Sequence, residues 1–466
     1  MNLGRTCLFA ALAVALGAYI FLVERPRMAA EAEPDRLVTF EPDRVDELAL
    51  DYPSGVSISL SKTGGSWQMT APLKTAADGP VVERLLASIK DLELERRIPL
   101  EDAEGLEVYG LKGQGSQARI SIELDDGSAL PPIVVGNTTP VGFSAFARLE
   151  GEDEVVVTPL LFHSGVKKNV FDLRNKRLFP VRASEAISLS IRAQSDDIEL
   201  ERAGNRWLIK EPIEDEADPG QVRAMLSSLG ELKALAFFDD EEAAGGDTGL
   251  QRPQLEVKAE IGGAGMVGFS LGNTDRERSP AGVFLERHED GQLAKVEEAV
   301  LVRFSKDLNS LRDKRVFSCE PSKISHIEFD RSAGDGFALR RGHNGTWFMD
   351  GSPATEVKQA IATRASNSLA DLAGTRIVAD GGSTRAELAP YGLDHPEIEL
   401  SVTLEDGTVC GRVLASATDR GGETPKYFLK KTPGGAVMSV PEYIFSRLDR
   451  RKEDFLVANK KEAGDG

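Results

Sequence analysis

The chain carries three tryptophans, Trp67, Trp207 and Trp347, each 140 residues after the one before. Spacing that regular sets a frame for the fold. A unit of this length is far too long for the short modules of a solenoid and has the size of a tandem domain. The local text repeats with it: "TGGSWQM", "AGNRWLI" and "HNGTWFM" each place a Gly- or Asn-containing turn just before the aromatic. Alternating runs lie upstream, at 56–60 ("VSISL"), 197–202 ("DIELER") and 337–341 ("FALRR"). Two period-2 runs around such a turn predict a β-hairpin in each unit.

Other landmarks keep the same step. After each tryptophan a polar segment leads into an amphipathic helix, predicted from Asp78, from Asp218 and from Thr355. Val82, Leu85, Leu86 and Ile89 fall on one helical face, as do Val222, Met225, Leu226 and Leu229. A Gly-Leu pair follows at Tyr109, Thr248 and Tyr391, then a strand, then "VVGNTTP" (134–140) or "SLGNTDR" (270–276), read as a turn between strands. A second hairpin and a short helix close each unit. At the handover the phrase "FDLRNKRLF" (171–179) returns as "NSLRDKRVF" (309–317), and "DRRKEDF" (449–455) is its third form, so that Arg174, Arg312 and Arg450 stand 138 residues apart. The expectation is α+β: three tandem repeats of a hairpin-rich sheet plus helix, over 37–179, 180–317 and a divergent 318–456, with a polar tail over 457–466. The basic phrase reads as a solvated turn, its arginine paired with a nearby carboxylate. The tryptophans read as packing anchors over their own helix.

The first thirty residues are of another kind. Cys7 to Val23 is an uncharged apolar run of 17 residues, preceded by Arg5 and followed by "ERPR". This is the low end of what spans a bilayer and longer than an ordinary signal-peptide core. It predicts a membrane anchor over 1–30 with the rest of the chain exported, while Ala30-Glu31-Ala32 leaves cleavage as an alternative. Cys7 precedes the run and so is not placed as a lipidation site. A formal charge of −19 argues against nucleic acid, which requires a clustered cationic surface. Cys319 and Cys410 match no metal spacing, and two separate buried thiols are the expectation.

Motifs for chemistry are not found in the sequence. His163, His288, His326, His343 and His395 show no ligand spacing and do not recur between repeats, so each is expected to be solvated or capping. There is no Gly-x-Ser-x-Gly elbow, Walker loop or dinucleotide fingerprint. The acidic run at 239–247 lacks the ligand alternation of a calcium loop and reads as a solvated linker. No catalytic, cofactor or metal residues are expected, which leaves Trp67, Trp207, Trp347, Arg174, Arg312 and Arg450 as structural anchors.

Trp followed by Pro ("WQMTAPL", "WLIKEPI"), Ala-Asp before the helix (Ala77-Asp78, Ala217-Asp218), Tyr-Gly-Leu with a following Pro, the Gly-Asn element and the Leu-Arg-x-Lys close resemble the bacterial domain-of-unknown-function 4340 family. The resemblance implies a membrane-anchored envelope protein, of a kind often encoded beside ABC-2 type transporters linked to gliding motility. The expected function is therefore a non-enzymatic, membrane-tethered periplasmic scaffold or accessory subunit. Its expected partner is an inner-membrane transporter or another envelope protein. The alternatives are a glycan-binding protein using the tryptophan faces, or an enzyme with a site between domains.

Overall fold

Period-2 burial builds the sheets. In a computed structural model, which describes residues 19, 35–112, 115–193, 197–240, 244–351, 355–382, 384–419 and 425–457, strand β1 (Val45–Asp51) turns Val45, Leu48 and Leu50 inward. A bulge between Val45 and Glu47 resets the alternation. The other strands of the first sheet are β2 (Ser57–Thr63), β3 (Ser66–Ala71), β4 (Thr75–Ala76), β5 (Arg96–Pro99), β6 (Ala118–Leu124), β7 (Ile133–Thr138), β8 (Ser144–Leu149) and β9 (Glu154–Pro159). They pair in the order β4-β3-β2-β1-β6-β7-β8-β9-β5. Helix α1 (Gly79–Lys90) carries the chain from one edge of this sheet to the other, and α2 (Leu160–Gly165) and α3 (Val170–Leu173) close the unit.

The same strand order returns in the second sheet and, without a counterpart of β4, in the third. The second sheet uses β10 (Ala186–Ala193), β11 (Asp197–Ala203), β12 (Arg206–Glu211), β13 (Asp215–Glu216), β14 (Ala236–Phe238), β15 (Leu255–Ile261), β16 (Gly265–Asp275), β17 (Gly282–Arg287) and β18 (Leu293–Val296), ordered β13-β12-β11-β10-β15-β16-β17-β18-β14. Its helices are α4 (Pro219–Glu231), α5 (Ala299–Phe304) and α6 (Leu308–Leu311). The third uses β19 (Ile324–Arg331), β20 (Phe337–Arg341), β21 (Trp347–Met349), β22 (Arg376–Ala379), β23 (Ile398–Leu404), β24 (Val409–Thr418), β25 (Lys426–Thr432) and β26 (Val437–Val440), ordered β21-β20-β19-β23-β24-β25-β26-β22. Its helices are α7 (Gln359–Ala370), α8 (Arg385–Leu388), α9 (Glu442–Phe445) and α10 (Lys452–Phe455). The chain divides into two compact units, Met1–Arg177 and Leu178–Gly466, so the second and third sheets share one unit. The fold is α+β with large antiparallel sheets.

Each long helix lays its apolar stripe on one face of its sheet. Val82, Leu85, Leu86 and Ile89 are buried on α1, and Val222, Met225, Leu226 and Leu229 on α4. Asp78 and Asp218 cap these helices by accepting from backbone N–H groups of the first turn. The third helix begins at Gln359, later than the Thr355 expected. The residues before it are drawn into backbone bonds with the chain end, Lys358 donating to the Phe455 carbonyl and Val457 to that of Glu356. At the places of Val82, Leu85 and Leu86 it carries Ala362, Ala365 and Ser366, all buried. Bulk returns from other positions: Phe329 stands where β1 has Leu50, and Phe455 where α3 has Leu173. Phe329 stacks on Phe337 at 4.6 Å, and Phe455 lies 5.5 Å from Phe337.

The opposite face of each sheet is covered by the Gly-Leu segment. Leu111, Leu250 and Leu393 are buried there in small clusters of their own. The Gly-Asn element is not a turn. Gly136 and Asn137 lie within β7, where Asn137 N–H donates to the Tyr109 carbonyl at 2.8 Å. A Cβ on Gly136 would fall 2.3 Å from that carbonyl oxygen, and one on Gly272 would fall 2.0 Å from the Thr248 oxygen. Only glycine admits so close a backbone.

Two further expectations are corrected. Cys319 and Cys410 are not separate thiols: they form a disulfide with a Cα separation of 6.1 Å, which joins the entry of the third repeat to β24. Their 91-residue separation hid a proximity that the sheet creates. The acidic run at 239–247 is not wholly a solvated linker, because Ala244 is buried and Arg278 donates to its carbonyl; 241–243 lie outside the described residues. The apolar run before Asp35 also lies outside them, apart from Tyr19, and so does the tail after Val457. Among the described residues no helix is long and apolar enough to cross a membrane.

Two outcomes are expected. Trp207→Ala removes a ring buried in the second core and should lower stability by about 3–5 kcal/mol in denaturant unfolding. Cys319→Ser, or reduction of the wild type, should cost roughly 2–4 kcal/mol. An unfolding midpoint insensitive to reductant would exclude the pairing.

Candidate functional site: the repeat joints

The repeated phrase is built from two halves. In its first half a four-residue helix ends in a buried leucine, Leu173 on α3 and Leu311 on α6. Asn169 and Asp307 cap these helices. The Ser310 hydroxyl and backbone N–H hold the Asp307 carboxyl below the ordinary range. The arginine that follows forms a single bridge to the segment before the long helix, Arg174 with Ala77 and Arg312 with Ala217. Lys176 and Lys314 then turn back to carbonyls at the helix end, Lys176 Nζ to Asp172 at 3.0 Å and Lys314 Nζ to Arg312 at 3.2 Å. Burial lowers the Lys314 pKa. The second half opens the next repeat. Leu178 and Phe179 enter the second core, Val316 and Phe317 the third, and Leu37 and Val38 stand in the corresponding place in the first.

Arg312 is the most constrained of these cations. It is 7% exposed, against the expectation of a solvated turn. Its Nε donates to Asp215 of β13 at 2.5 Å, and its Nη1 donates to Asp380, just beyond β22. One guanidinium thus holds a carboxylate from the second repeat and another from the third, a geometry for which the planar fork is suited. Asn309 on α6 adds a clamp, its amide donating to the Ile377 carbonyl of β22 at 2.9 Å. These groups border a cleft of about 460 Å³ whose walls include Glu214, Glu216, Lys431 and Met438.

Arg450 does not hold the third joint. Phe455 and Leu456 occupy the places of Leu311 and Arg312, with Lys358 N–H donating to the Phe455 carbonyl and Leu456 bridged to Val357. Arg450 lies six residues earlier, where its carbonyl accepts from Arg331 Nη1 at 3.2 Å. The 138-residue interval matched charge to charge, whereas the backbone clasp marks the equivalent position.

The remaining sequence candidates lie apart from one another. Trp67, Trp207 and Trp347 are all buried in their own cores. His163 is buried on α2, contrary to expectation, and desolvation lowers its pKa. His288 Nε2 is 2.8 Å from Ser270 Oγ, and His326 Nε2 is 3.1 Å from Asp350 Oδ2, while His343 and His395 are exposed. Among the described residues no three His, Cys, Asp or Glu side chains are grouped to hold a metal ion.

Sequence reasoning passed over Asp215, Asp380 and Asn309, since each meets its partner across 68 or more residues. It also passed over Lys295, buried between Phe238 and Phe284 and paired with Asp275 at 2.9 Å. That ammonium holds the Asp275 carboxyl below its ordinary range.

Arg312→Ala should destabilise the Leu178–Gly466 unit by about 1–3 kcal/mol, because both carboxylates retain some access to water. Arg312→Lys should recover only part, since an ammonium cannot reproduce the fork. Urea unfolding of the full chain, followed through this unit, checks both.

The family model described as "Domain of unknown function (DUF4340)" matches the chain twice, over residues 67–253 and 207–396. Each match starts at a tryptophan and ends at the proline that follows the Gly-Leu pair of the next repeat. No curated protein and no solved structure matches the chain. The two matches together cover well over half of the sequence, and the chain belongs to the DUF4340 family.

Proposed function

We propose that this protein is a membrane-tethered, extracytoplasmic scaffold without enzymatic activity, serving as an accessory subunit of an ABC-2 type transporter or a related envelope assembly. The carrying observation is the use made of the residues that repetition singles out. The tryptophans fill cores, and Arg312 ties two repeats through Asp215 and Asp380. The repeated phrase at Arg312 thus serves to hold the second repeat to the third, which is what a platform for partners needs.

Two features support the compartment. The apolar run from Cys7 to Val23 is long enough to act as an N-terminal membrane anchor. The Cys319–Cys410 disulfide fits an oxidising environment, since such bonds are rare where glutathione keeps thiols reduced. The family resemblance supplies the transporter as the partner class. A glycan-binding reading loses its platform, because all three tryptophan rings are buried.

The test is capture of the full chain from detergent-solubilised native membranes, with the captured proteins identified by mass spectrometry. The expected result is enrichment of an integral membrane transporter subunit, and a Cys319–Cys410 bond intact under non-reducing conditions. Recovery of the chain as a soluble cytoplasmic protein with both thiols free would overturn the reading.

A further inference from the structure

In the first repeat the β7–β8 connection presents apolar side chains to water. Val141 is 89% exposed, Phe143 85% and Leu161, at the start of α2, 82%. The tip is held in shape by its backbone. Thr139 N–H donates to the Ser144 carbonyl at 3.0 Å, the Thr139 hydroxyl to that of Val141 at 3.1 Å, and Leu160 N–H to that of Phe143 at 2.8 Å. The last bond ties the Phe143 tip to the first turn of α2, so the three side chains stand on neighbouring segments.

The other repeats treat this place differently. The register of the closing hairpins aligns Phe143 with Ala281 and Pro425, and Leu160 with Glu298 and Glu442. In the second repeat the connection reads Arg276-Glu277-Arg278, and Arg276 pairs with Glu298. The second repeat ties this connection down with an ion pair, and the first leaves Val141, Phe143 and Leu161 bare. An apolar tip rimmed by polar residues marks an interaction surface.

We infer that Val141, Phe143 and Leu161 dip into the interface of the bilayer that holds the N-terminal segment; the inference rests on the membrane-tether reading above. Three arguments favour lipid. Eleven residues separate Val23 from Asp35, and at roughly 3.3–3.6 Å each they reach no more than about 40 Å. The first repeat is therefore held within about 40 Å of the membrane. Three side chains also offer much less than the roughly 800 Å² per partner that a stable dimer buries. Finally, a chain of charge −19 is repelled by an anionic surface, so close approach requires a local apolar contact. Lys167 is exposed at the end of α2 and Lys168 lines the same cleft as Leu161, both suited to headgroup phosphates. Asp91, Glu93 and Asp172 line that cleft as well, and Glu95 accepts from Ser144 Oγ at 2.6 Å.

The experiment uses the full chain with Phe143→Trp, reconstituted into phosphatidylethanolamine–phosphatidylglycerol vesicles with or without lipids brominated on the acyl chain. Emission of the wild type, whose three tryptophans are buried, is the background. The added emission is expected to fall about twofold with brominated lipid and to resist aqueous acrylamide. Val141→Asp with Leu161→Asp in the same chain should reverse both. Quenching by acrylamide but not by bromine overturns the inference, and so does protection from both, the mark of contact with a second copy. Retention on the vesicles through an alkaline wash is scored separately. A chain that stays on the vesicles with an unquenched residue 143 sinks the lipid contact and leaves the tether standing. A chain that washes off sinks both.

Discussion

Each repeat is closed by a backbone clasp of two hydrogen bonds between the entry of its long helix and the end of its last short helix. The residue that enters the long helix donates its N–H to the carbonyl of the buried residue ending the last short helix. The pairs are Asp78 to Leu173 at 2.8 Å, Asp218 to Leu311 at 2.7 Å and Lys358 to Phe455 at 2.8 Å. Around 95 residues lie between the two ends in each case. The clasp brings the exit of a unit back against the start of its helix, and the chain leaves from there into the next core. A buried side chain, Leu173, Leu311 or Phe455, fixes the carbonyl in place. Because donor and acceptor are main-chain groups, the side chains around the clasp are free to vary, and in the third repeat they do.

From this closure follows the economy of charge at the joints. Once the chain end is pinned, the next side chain projects beside the strand that precedes the long helix. Arginine there finds a carboxylate with little loss of freedom, as Arg312 does with Asp215. Because Asp380 accepts from the same guanidinium, the ion pairs link the second repeat to the third within one compact unit. In the third repeat Leu456 takes the arginine's place, and the bridge to Val357 persists without a charge.

The divergence of the third repeat follows one volume rule. Shrinking the helix face to Ala362, Ala365 and Ser366 removes side-chain bulk from beneath the sheet. Phe329, Phe337 and Phe455 restore it from the strands and the closing helix. Close packing asks that the space be filled and leaves open which element fills it. The divergence of the first repeat has another logic. The tip at Val141 and Phe143 fills no core, so packing does not explain its hydrophobicity.

Periodicity alone determined the α+β class, the three-fold unit, the hairpins around each tryptophan and the buried stripes of α1 and α4. These depend on neighbours in sequence, on alternation and on helical spacing, which the residues state directly. The tertiary structure decided what depends on distance across the chain. It paired Cys319 with Cys410, buried His163 and Arg312, and turned Gly136-Asn137 from an apparent turn into a strand receiving the Tyr109 carbonyl. It also moved the third joint from Arg450 to Leu456, because a main-chain hydrogen bond carries no side-chain signature. Contacts between residues tens of positions apart are set by sheet order, and a single sequence does not spell out which strand edge will bring them together.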